Sequence, residues 1–269
     1  MNRNLLIHAV VLSLVALSTS ASVTSGASGA SVTSGVSGTL AADMAVPAFS
    51  TLAPGQTLPD VLRVIPIPNV KANTFSLVAD QGVTVLKVES NESAGSVGLP
   101  FLVALKDKKL TTPLLTWRWK VSRVLDRADM EEKSADDFAA RVYVFFDVPL
   151  ASLSFADRTK IRLARLIAGT DVPTAALCYV WDNKHRVGYA HASPYTSRVQ
   201  KFVLQSGPSL TGKWQIETRD VAADFRLAFG MEPPRITGVA IGNDTDNTHE
   251  QVTTWFGDVQ FLAPTLLKP

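Results

Sequence analysis

The segment Leu114–Val121, with the sequence LLTWRWKV, alternates between apolar and polar residues from Leu115 onward. Successive side chains of a β-strand point to opposite faces, so this period of two predicts a strand with one buried face and one solvated face. Such a strand needs a sheet, and the sheet needs a second layer to cover its apolar face. Trp117 and Trp119 lie on the apolar face, where core packing is the favoured interpretation and a sugar-stacking platform is the alternative.

Segments with the same character recur along the chain, separated by turn signals. The further predicted strands are Thr74–Val78, Val83–Val88, a strand within Ala135–Val148, Ala176–Trp181, Ser197–Leu204, Trp214–Thr218, Gly238–Gly242 and Val252–Phe261. Two segments predict helices, Ser154–Gly169 and Val221–Phe229, the second with Asp220 as its N-cap and Gly230 after its end. We therefore predict a mainly β fold, an antiparallel two-sheet β-sandwich with one or two short helices.

The N-terminal residues predict export. Arg3 precedes an apolar run, Leu5–Leu17, and small residues follow at positions 19–21, so residues 1–21 are interpreted as a signal peptide. The run is shorter than the roughly 20 apolar residues that cross a bilayer, so we expect no stable membrane span after leader removal and a periplasmic or extracellular location. Residues 22–48 contain SVTSGASGA and SVTSGVSGT, which predict a Ser/Gly/Thr-rich linker, and residues 49–265 form the predicted β-sandwich domain.

Composition limits the remaining classes of function. The 26 basic and 24 acidic residues give a net charge of +2, and this balance does not suggest a nucleic-acid partner, which calls for a clustered basic face. Cys178 is the single cysteine, so the domain depends on its core and not on disulfides. A small buried residue within a strand is a better interpretation of Cys178 than a nucleophile.

The loop after Gly242 is rich in side-chain oxygens. Asp244, Asp246 and Asn247 fall within four residues and, with Asp258, are the candidate ligands of a structural calcium ion. The loop is not an EF-hand, because His249 stands where that motif needs glycine. The alternative is a turn whose Asp and Asn side chains satisfy neighbouring backbone N–H groups.

Asp136 and Asp137 are adjacent carboxylates directly before a predicted strand. Paired acids suggest general acid–base chemistry, and with Glu217 they would make a carboxylate-dependent hydrolase. The favoured interpretation is structural: one of the two caps the turn and pairs with Arg141.

The segment Gly207–Lys213, GPSLTGK, matches the first part of a phosphate-binding loop. The next residue is Trp214 instead of the hydroxyl residue that would bind magnesium, and a predicted strand follows where a helix is required. We interpret the segment as a turn between strands.

Several segments resemble a bacterial family catalogued as domain of unknown function 3047. The matching stretches are LTWRWKV, DDFAARVYVFFD, ALCYVWDN, SRVQKFVLQSG, WQIETRDVAADFRLAFG, GVAIGNDTDNT and FGDVQF, in the order of the family and spanning roughly residues 52–263. The resemblance implies an exported domain with a β-sandwich similar to jelly-roll carbohydrate-binding modules. It implies no established activity and carries no catalytic residues.

The first functional hypothesis is a non-catalytic module that binds a glycan or similar polar ligand of the cell envelope. Its candidate ligand-binding residues are Arg141, Tyr143, Asp147, Tyr179, Trp181, Asp182 and Trp255. If Tyr143 and Asp147 face the same surface as Tyr179, one concave sheet face could hold them all. The alternatives are the carboxylate-dependent hydrolase and a structural or protein-binding envelope component.

Overall fold

The structure of the protein is a computed structural model that describes residues 47–99, 114–168 and 173–262. The predicted signal peptide and nearly all of the predicted linker lie outside the described residues. The strands are β1 (Arg63–Ile65), β2 (Thr74–Asp80), β3 (Val83–Asn91), β4 (Ala94–Leu99), β5 (Leu114–Val121), β6 (Phe138–Phe146), β7 (Ala175–Asp182), β8 (Ala190–Ser193), β9 (Thr196–Ser206), β10 (Gln215–Asp220), β11 (Ile236–Asp244), β12 (Gln251–Phe256) and β13 (Gln260–Phe261). The helices are α1 (Phe155–Ala168) and α2 (Val221–Phe229), and short 3-10 helices span Phe49–Thr51 and Leu150–Ser152.

The strands form two stacked sheets. One has seven strands in the order β1-β4-β11-β6-β7-β9-β8; the other runs β10-β5-β12-β3-β2, with β13 paired to β5 as its sixth strand. Within the described residues the pairs are antiparallel except β7 with β9. The parallel pair arises because β8 takes the sheet edge and the chain then returns inside it as β9. The predicted two-sheet β-sandwich with one or two helices is confirmed, and the described residues contain two α-helices.

Short-range signals placed several elements correctly. The β2–β3 hairpin turns through Gln81 (φ 54°) and Gly82 (φ 79°), a left-handed pair that suits the right-handed twist of the strands and that glycine adopts without strain. Helix α2 begins at the predicted cap, where Asp220 Oδ1 accepts the N–H groups of Ala222 and Ala223 at 3.1 and 2.9 Å. It ends at Gly230, whose φ is 66°.

The core lies between the two sheets. From the six-stranded sheet it contains Trp117 and Trp119, and from the seven-stranded sheet Tyr179 and Trp181, all nearly inaccessible to solvent. The ring centroids of Trp117 and Tyr179 are 5.4 Å apart, and those of Trp119 and Trp181 are 6.0 Å apart. The core interpretation of Trp117 and Trp119 is confirmed.

The seven-stranded sheet is covered on its outer face as well. A second apolar cluster there includes Tyr143 and Phe145 of β6 and Cys178 of β7, and Met130 from the segment between β5 and β6 packs into it. As a result every residue of β6 and β7 is buried, and burial raises the pKa of the Cys178 thiol to about 12. This environment confirms that Cys178 is a buried strand residue.

The outer face of the six-stranded sheet is different, because residues of β5 alternate between buried and half-buried along the strand. This sheet follows the pattern predicted for one buried face. Across the described part of the chain, neither helix has the length and hydrophobicity that crossing a membrane would require.

Candidate functional site

A group of six charged side chains, which we call the ionic cluster, lies on the outer side of the seven-stranded sheet. Its members are Asp136, Asp137, Arg141, Lys201, Asp244 and Asp246. Arg141 and Lys201 point outward, because their strand neighbours Val142 and Phe202 point into the core between the sheets. Four carboxylates therefore meet two cations, and all of the six except Asp246 are more than nine-tenths buried.

The first ion pair of the cluster joins neighbouring strands. Nη1 of Arg141 on β6 donates to Oδ2 of Asp244 on β11. Oδ1 of Asp244 accepts the backbone N–H of Phe138 at 3.0 Å, so both carboxylate oxygens are hydrogen-bonded. This ion pair joins two interior strands of the sheet, and loss of either partner would leave the other charge buried and unpaired.

The second ion pair fixes the covering segment. Nζ of Lys201 on β9 lies 2.7 Å from Oδ1 of Asp136 and also donates to the backbone carbonyl of Met130. Burial raises the pKa of Asp136, and Lys201 counteracts part of that rise. The predicted pairing of Asp136 or Asp137 with Arg141 is wrong, since Arg141 instead pairs with Asp244 from a strand distant in sequence.

Asp137 organises the loop between β11 and β12. Its Oδ2 accepts the backbone N–H and the hydroxyl of Thr248 at 2.7 and 2.8 Å, and its Oδ1 accepts the side-chain amide of Asn247 at 3.1 Å. The polar groups of the loop are therefore hydrogen-bonded by Asp137, a residue outside the loop. The turn interpretation, in which the loop's own Asp and Asn side chains do this alone, does not account for these bonds.

The predicted calcium ligands come together only in part. Asp244, Asp246 and the unpredicted Asp137 each offer a carboxylate oxygen within 4.8 Å of the others, and Asn247 lies beside them. Asp258 lies elsewhere, because its carboxylate accepts the backbone N–H and hydroxyl of Ser50 at 2.9 and 2.6 Å. Burial, and after it the charge of Asp137, raises the pKa of Asp246. Calcium takes about six to eight oxygens, and its binding here stays a prediction.

The hypothesis that one sheet face holds the predicted aromatic residues is wrong. In the β6–β7 pairing Tyr143 lies opposite Cys178, and Tyr179 lies opposite Val142, so the two tyrosines point to opposite sides of the sheet. Tyr143 belongs to the outer apolar cluster. Tyr179 faces the core, where its hydroxyl donates to Asp224 at 2.7 Å.

The other predicted ligand-binding residues of this sheet are also dispersed. Trp181 is in the core and its Nε1 donates to the carbonyl of Gly207 at 3.3 Å. Asp182 is buried at the end of β7, where its Oδ2 accepts the N–H of His185 at 2.6 Å. Asp147 is exposed after β6 and lies 3.5 Å from the guanidinium of Arg235. These residues do not form one binding surface with Arg141 and Tyr143.

The three acids of the hydrolase hypothesis are not in one groove. Glu217 on β10 accepts hydrogen bonds from Nε1 of Trp119 at 3.1 Å and from the amide of Gln205 at 2.8 Å, at the margin of the core. Burial raises the pKa of Glu217, and these two hydrogen bonds oppose that rise. Asp136 and Asp137 belong to the ionic cluster on the outer side of the other sheet.

A second group of polar and aromatic side chains covers the outer face of the six-stranded sheet, and we call it the aromatic patch. It consists of Asp80, Arg118, Lys120, Trp214 and Trp255. Both tryptophans are half-buried, so part of each indole is open to solvent. The Nζ atom of Lys120 lies 4.5 Å from the ring centroid of Trp255 and 5.1 Å from that of Trp214, which places the two indoles on the same ammonium group.

Trp214 is held across the sheet by its neighbours. It directly precedes β10 at one side of the sheet, yet its Nε1 donates at 3.3 Å to Asp80 on β2 at the other side. Asp80 also forms an ion pair with Lys120. Burial would raise the pKa of Asp80, but the hydrogen bonds from Lys120 and Trp214 outweigh it and lower that pKa. Asp80 is therefore charged at neutral pH and fixes both groups.

Of the predicted ligand-binding residues, Trp255 alone lies in the aromatic patch. The alternation of LLTWRWKV already placed Arg118 and Lys120 on the face opposite the core, so a signal for them was present in the sequence. Trp214 carried no such signal, because its position on the sheet depends on a hydrogen bond to a strand 134 residues away.

Several solved structures are distantly similar to this chain. Endoglucanase 3 of Trichoderma harzianum from family GH12 is 9% identical, with a TM-score of 0.36 over 73% of this chain and 86% of that chain. The catalytic domain of Humicola grisea Cel12A is 9% identical, with a TM-score of 0.37 over 73% and 88%. The cellulose-induced protein Cip1 is 14% identical, with a TM-score of 0.31 over 75% and 90%. Similarities this distant do not bear on the function of the chain.

No curated protein matches the sequence. The model of DUF3047, a family described as proteins of unknown function, matches residues 62–260 and so covers most of the chain. The chain belongs to this family, as its sequence motifs indicated.

Proposed function

We propose that this member of the DUF3047 family is a non-catalytic module that binds a glycan on the outer face of its six-stranded sheet. The observation that carries the proposal is the aromatic patch, where the half-buried indoles of Trp214 and Trp255 flank the ammonium of Lys120. In line with the predicted leader, we place the ligand in the cell envelope, outside the cytoplasm.

The composition of the patch suits a sugar ring. A pyranose has apolar C–H faces and a rim of hydroxyl groups, so it is bound well by a flat aromatic surface with hydrogen-bonding groups beside it. The indoles supply the surface, while Lys120 and Asp80 supply a donor and an acceptor at its edge.

The patch is also preorganised. Trp214 is fixed by its hydrogen bond to Asp80 and by the cations against its ring, so little side-chain freedom would be lost when a ligand binds. A fixed and partly open tryptophan is more consistent with recognition of a ligand than with filling of a core.

The ionic cluster supports the non-catalytic part of the proposal. General acid–base catalysis by two carboxyl groups requires both to reach a substrate in a groove. Here Asp136 is held by Lys201, Asp244 by Arg141, and Asp137 by the loop that follows β11. These partners favour a structural role for the acids.

The proposal is tested by affinity electrophoresis and titration calorimetry of the full chain with a panel of soluble neutral and acidic polysaccharides. Trp255→Ala should weaken binding by about 10-fold or more, because a central aromatic anchor is lost, and Trp255→Phe should retain part of the affinity. Leu227→Ala, which truncates an exposed apolar residue on α2, is the matched control and should bind as the wild type does.

Melting temperatures of all variants verify that they are folded. Lack of retention on every polysaccharide would overturn the proposal. So would a folded Trp255→Ala variant with unchanged affinity.

A further inference from the structure

The geometry of Arg118 points to a more specific ligand: we propose that the aromatic patch selects a glycan that bears carboxylate groups, such as a polyuronate. This inference rests on the proposed function and names the class of glycan that the same surface would bind.

Arg118 lies on the outer face of β5, opposite Ile216 of β10, and is half-buried. Its Cζ lies 4.4 Å from the ring centroid of Trp214, so the guanidinium is stacked on that indole. Its position is therefore tied to the aromatic surface that would contact the sugar.

Arg118 forms no ion pair among the described residues, in contrast to the neighbouring cations of this face, although its charge does contribute to lowering the pKa of Asp80. Lys120 forms an ion pair with Asp80, and Lys87 lies 2.7 Å from Glu89. Among the described residues, no carboxylate oxygen lies within ion-pair distance of the Arg118 guanidinium. The patch thus presents one cation whose N–H donors are not used by a carboxylate of the protein.

Gly257 explains how Arg118 is held. A Cβ atom at position 257 would lie 2.5 Å from both Cγ and Nε of Arg118, closer than non-bonded atoms approach. The arginine side chain therefore lies against the backbone at a place that only glycine leaves open. With the indole of Trp214 also in contact, the guanidinium is positioned before any ligand binds.

A guanidinium fixed in this way matches a carboxylate. Its planar set of N–H donors forms two parallel hydrogen bonds with the two oxygens of one carboxyl group, and a neutral sugar hydroxyl offers no such acceptor. Electrostatic attraction would be screened by salt, because the patch is open to solvent. The ligand whose carboxylate groups can pair with Arg118 is therefore an acidic polysaccharide.

The test uses a matched pair of probes, polygalacturonate and its highly methyl-esterified form, which share a backbone and differ in the charge of the carboxyl groups. The wild-type chain should bind the acid form at least about 10-fold more tightly, and this preference should shrink as sodium chloride is added. Arg118→Gln should remove most of the preference, while binding of the ester is retained through the tryptophans. Arg118→Lys should keep only part of it, because an ammonium cannot form the paired hydrogen bonds.

The outcomes separate the two proposals. Equal affinity of the wild type for both probes, or tighter binding of the ester, would overturn the inference and leave glycan binding standing. An Arg118→Gln variant that is folded by its melting temperature and keeps the full preference would overturn it too. Failure of the wild type to bind any polysaccharide would overturn the proposed function itself.

Discussion

The outer faces of the two sheets use charge in opposite ways. On the seven-stranded sheet, Arg141 and Lys201 are buried, and each is in contact with a carboxylate of the protein. On the six-stranded sheet, Arg118 is half-buried, stacked on an indole, and without a carboxylate partner among the described residues. A buried cation without its anion would destabilise the fold, whereas a solvated cation can be left for a ligand.

The two faces differ in how many of their polar groups are available to a ligand. The ionic cluster is a dense group of acids and bases. Two of its four carboxylates are in ion pairs and Asp137 is hydrogen-bonded by the loop after β11, which leaves few polar atoms for a ligand. The aromatic patch has fewer charges, but part of its binding capacity is unused.

The largest expected difference between the two faces is in stability. Arg141→Met should lower the free energy of unfolding by about 3–5 kcal/mol, because Asp244 would remain buried without its cation. Arg118→Met on the other sheet should change it by less than about 1 kcal/mol, because no ion pair is lost. Denaturant midpoints of the two variants measure this, and equal midpoints would contradict the assignment of Arg141 as a buried structural charge.

The two sheets can also be compared by adding a methyl group at one tightly packed glycine in each, Gly242 on the seven-stranded sheet and Gly257 beside the six-stranded sheet. Gly242 has no room for a side chain, since a Cβ atom would lie 2.3 Å from the backbone carbonyl oxygen of Gly95. Gly242→Ala should therefore destabilise the fold by about 2–3 kcal/mol. Gly257→Ala should cost about 1 kcal/mol, because the obstructing Arg118 side chain can swing away.

A second readout distinguishes these glycines. Gly257→Ala should reduce the preference for polygalacturonate over its methyl ester, because the added methyl group would displace the Arg118 side chain. Thermal melting measures the stability change of each variant. A Gly242→Ala variant as stable as the wild type would contradict the close approach of β11 to the backbone of Gly95 on β4.

A smaller effect on stability is expected from the ionisation of Asp246. The pKa of Asp246 is raised by burial and by Asp137, so the folded protein holds this proton more tightly than the unfolded chain does. The resulting stabilisation is complete below the ordinary pKa of 3.8 and is lost as the pH rises through the folded-state pKa. Asp246→Asn should therefore be more stable than the wild type at neutral pH, by about 0.5 kcal/mol at this half-buried position.

The pH series provides the control for that variant. The difference in melting temperature between Asp246→Asn and the wild type should disappear as the pH falls towards 3.8. A difference that persists unchanged under acid conditions would show that it comes from packing and not from ionisation.

The smallest effect is expected from calcium. Asp137 and Asp244 already accept hydrogen bonds at both carboxylate oxygens, and Arg141 offsets the charge of Asp244. Of the three carboxylates, Asp246 is therefore the one most available to a calcium ion. Melting temperatures in millimolar calcium and in chelator should agree within about 1 °C. A rise of several degrees that Asp246→Asn abolishes would instead establish a calcium site.

The sequence was sufficient to predict those elements whose structure is determined by residues close to one another in the chain. Alternation identified β5 and its buried tryptophans, glycine marked the β2–β3 turn, and Asp220 marked the start of α2. Alternation did not predict β4, whose six residues AGSVGL are all buried. A strand that is buried on both faces shows no period of two.

The sites were harder to predict because their partners come from distant strands. The ion pair of Arg141 with Asp244 joins residues 103 positions apart, and that of Lys201 with Asp136 spans 65 positions. The distribution of Tyr143 and Tyr179 between two faces depends on the β6–β7 register as well as on alternation, because β7 is buried on both faces. The position of Trp214 could not be predicted, since it depends on how the sheet brings Asp80 within reach.

The strand order has a consequence for how the molecule is made. Strand β11, near the C-terminal end of the chain, lies in the middle of the larger sheet between β4 and β6, which precede it by many residues. Until that strand is available, β4 can pair only with β1 and β6 only with β7, and the edges that face β11 keep unpaired backbone groups. Assembly of this sheet must therefore wait for almost the entire polypeptide, and folding through such long-range pairings is expected to be slow.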